Sequence, residues 1–172
     1  MLTLGFHFLL RPGKYACTSC PESTLFRLAD IYFYQCSQWI DHLHCPPRIL
    51  DTATFVCLKF TNQKNGVQGE RIGLGRSGTP SFCPVVACIN RVKHLCNFHA
   101  APETPLYAFF HQSWWAISTS ILTQELRLTI TTVGPLVGLA PEDVSIRSLR
   151  SSGAMALLCA NVLHPSVGPL VV

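Results

Sequence analysis

Charged side chains are scarce in this chain. Of 172 residues, 13 are Lys or Arg and 9 are Asp or Glu, a charged share of 13% against a hydrophobic share of 48%, with a formal net charge of +4. That balance lies toward the apolar side for a soluble protein, and the length suits one domain with an adequate core. No run approaches the roughly 18 to 20 apolar residues needed to cross a bilayer, which excludes a spanning helix. The apolar stretch Met1–Leu10 has no leading positive charge and contains His7. It reads as a core helix cut off at its start, not as a secretory leader. Internal repeats and low-complexity tracts are absent. Cysteine, by contrast, is plentiful at nine residues, an odd number that argues against a fully paired disulfide scaffold. Cys57, Cys88 and Cys159 fall within apolar patterns expected of reduced, buried thiols, so an intracellular protein is expected, nuclear if the source is eukaryotic.

Complete metal and cofactor motifs are also lacking. Cys17-Thr18-Ser19-Cys20 supplies half of a zinc site, but the second group, His42, His44 and Cys45, is irregular and separated from it by a predicted strand. His94, Cys96 and His99 fare no better, because Cys96 points toward an apolar stripe and His94 does not. Gly73-Leu74-Gly75-Arg76-Ser77-Gly78 lacks the Lys-Ser/Thr ending of a phosphate loop. No metal and no cofactor is expected, and Trp114-Trp115 reads as a packing pair.

The pattern of apolar residues gives the elements. Residues 1–11 read as a helix tail that Pro12-Gly13 terminates. Residues 26–34, rich in β-forming side chains, and 52–61 read as strands, and Asn65-Gly66 signals a tight hairpin returning through residues 67–74. Pro84 opens a helix to Asn97 with Val85, Cys88, Ile89, Val92 and Leu95 on one stripe. Residues 106–110 read as a short extended segment, and Ser118 or Thr119 caps a helix through Thr132. The fold class expected is α+β, mainly helical with a small antiparallel sheet.

Charge is unevenly placed as well as sparse. Between Lys59 and Lys93 stand six basic residues against Glu70 alone, a net +5. Such a stripe suits a phosphate-contacting surface and equally an ordinary solvated face. A second concentration occurs at residues 145–158, Ser-Ile-Arg-Ser-Leu-Arg-Ser-Ser-Gly-Ala-Met-Ala-Leu-Leu, which reads as a helix start with Glu142, Asp143 and Ser145 as its capping groups. Arg147 and Arg150 fall in its first two turns, where the backbone already presents positive charge. Two arginines there make sense if a phosphate docks on them.

Arg-Ser-Leu-Arg followed by a small-residue helix is similar to the H-x-L-R-H helix of tyrosine recombinases, the phage-integrase class. Two more segments follow the family's order. Leu9-Leu10-Arg11-Pro12-Gly13-Lys14-Tyr15 resembles the helix end carrying its first catalytic arginine. Phe60–Glu70 resembles the hairpin carrying its catalytic lysine. The resemblance covers residues 1–162 as a partial catalytic domain, with 163–172 as an irregular tail. It implies that Arg11 and Arg150 clamp a DNA phosphate bidentately while Lys64 protonates the leaving oxygen. Arg147 stands where the family usually has histidine; a guanidinium holds a phosphate but exchanges no proton near neutral pH.

The departures shape the functional expectation. Lys14 replaces the family's acid, and no tyrosine follows Arg150, so the family's nucleophile is missing. The resemblance therefore implies a catalytic domain truncated at both ends, which binds duplex DNA, with other recombinase chains as further partners, and does not cut it alone. No membrane and no small-molecule substrate is expected. A non-catalytic DNA-binding remnant or a zinc-stabilised interaction module is the alternative.

Overall fold

Alternating burial builds the sheet. In the computed structural model, which describes residues 1–18, 25–61 and 69–163, Ile31 and Phe33 of β1 (Ile31–Gln35) are buried on the same side as Val56, Leu58 and Phe60 of β3 (Phe55–Phe60). β2 (Gln38–Ile40) pairs with the other edge of β1, and β4 (Glu70–Gly75) with β3. All pairings are antiparallel and the strand order is β2-β1-β3-β4. Short helices α1 (Leu2–His7), α2 (Pro12–Tyr15) and α3 (Pro47–Leu50) fill the connections. Helix α4 (Pro84–Asn97) lays its buried stripe, Val85, Cys88, Ile89, Val92 and Leu95, across β3 and β4. A separate hairpin, β5 (Ala108–His111) with β6 (Ser113–Ala116), leads to α5 (Thr119–Val133) and then α6 (Ser148–Leu163). The class is α+β, as the sequence pattern indicates, and among the described residues no helix is long and apolar enough to cross a membrane.

Several boundaries differ from the sequence reading, each for a local reason. Pro12-Gly13 does not end the first helix. Leu9 does so by adopting a left-handed conformation (φ 50°), with the Leu10 and Leu9 amides donating to the Gly5 and Phe6 carbonyls at 3.1 and 3.3 Å. Pro12 instead opens α2. Residues 28–30 are a 3₁₀ turn and not strand, because the Arg27 amide donates to the Asp30 carboxylate at 2.9 Å. β2 and β6 are additional strands. Glu142 and Asp143 lie in a 3₁₀ turn upstream of α6, whose first turn holds no acid, and Arg147 immediately precedes that helix. α6 runs on through Asn161, a residue expected to fall in irregular chain. Trp114 and Trp115 are not a packing pair: they stand on β6 at 42% and 57% exposure. Cys159 is exposed, whereas Cys88 is buried and Cys57 half-buried; the eight described cysteines are all free thiols. Lys64, the Asn65-Gly66 turn, Cys20 and the tail from residue 164 lie outside the described residues.

Candidate phosphate-binding cleft

Three chain segments far apart in sequence are sewn together around one cleft. The parallel bridge between Cys17 and Ser118 joins the first to the second: the Cys17 amide donates to the Ile117 carbonyl at 2.8 Å, and the Thr119 amide to the Cys17 carbonyl at 3.2 Å. Buried Tyr15 joins the first to the third, its hydroxyl donating to the Ile146 carbonyl at 3.1 Å. Its ring crosses α1 at Gly5, where an added Cβ would come within 2.6 Å of it. Burial pushes the Tyr15 phenol well above its ordinary range. Arg127 joins the second to the third, Nε donating to the Val144 carbonyl at 3.1 Å.

The resulting cleft has a volume of about 710 Å³. Its polar lining is Arg127, Arg147, Thr18, Thr119, Ser120, Thr123, Ser145 and Gln124; among the described residues no acidic side chain lines it. Thr119 and Ser120 open α5, capped by Ser118, whose hydroxyl accepts from the Ile121 amide at 3.2 Å. The first turns of α5 and α6 carry no acid, so neither helix supplies a carboxylate of its own against its positive end. Arginines, hydroxyl donors and a helix N-terminus are the groups that hold an oxyanion such as phosphate.

The predicted site residues distribute unevenly around this cleft. Arg147 lines it and is exposed. Arg11 is exposed and directly precedes the lining residue Pro12, while exposed Arg150 stands in the first turn of α6, three residues before Gly153. An added Cβ on Gly153 would reach 2.3 Å from the Phe6 carbonyl oxygen and 2.7 Å from Leu9 Cδ2, so α6 docks on α1 there at backbone contact. Neither Arg11 nor Arg150 lines the cleft itself. Sequence reasoning missed Arg127. It sits inside a helix with no motif around it, on the α5 face that carries Ser120, Thr123 and Gln124, and its bond to Val144 fixes it at the site.

The basic stripe from Lys59 to Lys93 is largely engaged within the protein. Arg71 lies over the Tyr32 ring at 4.3 Å and donates to the Tyr34 hydroxyl at 3.4 Å. Arg76 donates to the Ala53 and Asp51 carbonyls at 2.7 and 2.6 Å, and Lys93 pairs with Asp51 at 2.5 Å. These side chains serve the sheet and its loops.

Tyrosines and metal ligands are placed away from the cleft. None of the four tyrosines lines it. His42 is buried, with Nε2 3.0 Å from the Leu28 carbonyl, and His44 pairs with Asp41 at 2.8 Å. Among the described residues no group of three His, Cys, Asp or Glu side chains could hold a metal ion. Comparison of the chain with protein-family models, curated proteins and solved structures finds no match in any of the three.

Proposed function

We propose that this chain binds the phosphate backbone of duplex DNA through the cleft between α2, α5 and the turn before α6, without cutting it. The observation that carries this reading is the meeting of Arg127, Arg147 and the α5 N-terminus in a cleft that no carboxylate lines among the described residues. Phosphate contacts of this kind are insensitive to base sequence and sensitive to salt. The tyrosine-recombinase-like ancestry is supported by one further fact. The Arg11–Tyr15 and Arg147–Arg150 segments, both motif-bearing, are held side by side by the Tyr15–Ile146 hydrogen bond across 131 positions. Strand cleavage would need a hydroxyl nucleophile at the bound phosphate with an activating environment. Tyr15, the tyrosine nearest the cleft in sequence, is buried and spends its hydroxyl on a backbone carbonyl. Recombination would then require a hydroxyl nucleophile other than the four tyrosines present here, and a nuclear location in a eukaryotic cell goes with that reading.

Fluorescence anisotropy with duplex DNA across a salt series tests the proposal. Affinity should be tolerant of sequence and fall steeply with salt. Arg147→Ala should weaken it about tenfold and reduce the salt slope by about one, and Arg150→Ala should act in the same direction. Arg27→Ala, at the bridge to Pro105 and not among the cleft's lining residues, should leave binding unchanged. Equal effects of all three variants, or binding that ignores salt, would overturn it. A nicked suicide substrate should yield no covalent adduct with the chain alone.

A further inference from the structure

The β5–β6 hairpin stands outside the four-stranded sheet, and its pairing leaves one backbone amide to find a partner elsewhere. In an antiparallel ladder, residues alternate between those whose amides face the partner strand and those whose amides face away. The Ile117 amide donates to the Tyr107 carbonyl at 3.1 Å, and this sets the phase. Tyr107, Phe109 and His111 face β6, and Ala108 and Phe110 face away from it. Ala108 spends its outward amide on the Pro105 carbonyl at 3.0 Å. Phe110 spends its own on His94 of α4, donating to Nε2 at 3.2 Å. A ring nitrogen that accepts must carry a lone pair, so this imidazole is neutral with its proton on Nδ1. Ring contacts reinforce the tie. Phe98, just past the end of α4, stacks on Phe110 with centroids 4.7 Å apart and planes at 27°, and His94 meets Phe98 edge-on at 5.1 Å.

Protonation reverses the contact. Nε2 takes a proton from water, its lone pair is consumed, and an N–H then faces the Phe110 N–H. The new imidazolium gains no counter-charge. Among the described residues the charge that acts on it is that of Arg91, one turn earlier on α4, and β5 presents the Phe110 amide to it. Burial first, and then Arg91, lower the His94 pKa, so the change falls on the acid side of the ordinary imidazole range. We propose that His94 is a pH-operated latch, which while neutral holds the outer half of the β5–β6 hairpin against α4 and on protonation releases it. The hairpin's stem stays in place, because the Leu106 amide donates to the Phe26 carbonyl at 2.9 Å and the Cys17 amide to the Ile117 carbonyl at 2.8 Å, bonds that do not involve the imidazole. Release separates the stacked faces of Phe98 and Phe110 and frees the hairpin tip beside Trp114.

Trp114 and Trp115 stand on β6 and report on it directly. In a Trp39→Phe background they are the chain's remaining tryptophans, and Trp39 is itself exposed. Their emission, and its quenching by acrylamide, should hold steady from about pH 8 to about pH 6.5 and change in one step below that, while far-UV circular dichroism stays native. His94→Gln keeps an acceptor that does not titrate and should hold the neutral-pH signal down to about pH 5. His94→Leu has no acceptor and should give the released signal at both ends of the range. Protection of the Phe110 amide against hydrogen exchange, corrected for the intrinsic pH dependence, should fall about five- to tenfold between about pH 7.5 and about pH 5 in the parent chain and not in His94→Gln. His42→Gln should leave the step in place, which separates the latch from acid unfolding of the core. The measurement uses no DNA, so its result is independent of the cleft's ligand. No step in the parent chain, a step that persists in His94→Gln, the neutral-pH signal in His94→Leu, or a step that coincides with loss of circular dichroism would overturn the proposal.

Discussion

Residues 1–116 and residues 117–163 of this chain are held together by different means. Among the described residues, the first region supplies all but two of the buried side chains in the hydrophobic cluster; the second contributes Leu122 and Ile146. Ile117 and Leu149 pack half-buried against that cluster, and many of the remaining large apolar groups face outward, Leu136 at 85% and Leu158 at 59% exposure among them. The first region is therefore fixed by burial, which is non-directional and tolerant. The second is fixed by a few directional ties: Tyr15 to Ile146, Arg127 to Val144, the Cys17–Ser118 bridge and the contact of Gly153 with α1. The candidate cleft lies along those ties, where stability is expected to be lowest and substitution most specific in its effect.

The largest expected contrast is between the two regions' apolar residues. Phe33→Ala, at a fully buried position, should cost about 3–5 kcal/mol in chemical denaturation, whereas Leu136→Ala should stay within about 0.5 kcal/mol. Comparable losses would mean that the second region has a core of its own. Next comes Gly153→Val. Its side chain must displace the Phe6 carbonyl and Leu9, at about 1–3 kcal/mol, and the loss should fall on α6 alone. Limited proteolysis should then open residues 148–163 while the unfolding midpoint of the sheet and α4 holds. A uniform shift of both would join the regions into one cooperative unit.

Tyr15→Phe removes only a hydroxyl, leaves the Ile146 carbonyl unpaired and should cost about 0.5–1.5 kcal/mol. It should also weaken DNA binding, because it loosens Arg147 relative to α5. A smaller effect is expected from His42, whose Nδ1 is buried without a partner while Nε2 is satisfied by Leu28. Burial lowers its folded-state pKa, outweighing the favourable charge of neighbouring Asp41, while His44 opposes protonation. The unfolded chain thus takes up the proton first, and stability should be full above about pH 6.5 and decline as pH falls below it. His42→Gln should remove that part of the acid sensitivity in denaturation at pH 7.5 and 5; an unchanged pH dependence would assign it elsewhere. Thiol labelling gives the finest contrast. Cys36 and Cys159 should react in the native protein, Cys88 only on unfolding, since burial raises its pKa and closes access.

What could be read from the sequence follows from which interactions are local. Helix α4 is legible because its stripe is periodic and Pro84 marks its start, and Ser118 announces α5 through a cap only three residues long. β2 and β6 are hidden because their turns use unexpected residues. Cys36 and Ser37 both adopt positive φ (47° and 68°) where Asn-Gly is the usual signal, and Gln112 does so (φ 62°) between β5 and β6. His99 (φ 53°) closes α4 as Leu9 closes α1, again without glycine. In the cleft, Arg147 was legible as a cation placed at a helix start. Arg127 was not, nor was the engagement of Arg71, Arg76 and Lys93, because both depend on partners distant in sequence.

Hydrogen–deuterium exchange with and without duplex DNA tests most directly the claim that a packed scaffold carries a weakly tied, phosphate-binding edge. In the free protein, β1, β3 and α4 should exchange slowest, and residues 117–163 faster. On adding DNA, protection should rise at residues 118–127 and 144–150 and nowhere in the stretch from Lys59 to Lys93. Protection centred on that stretch, or none at all, would contradict it.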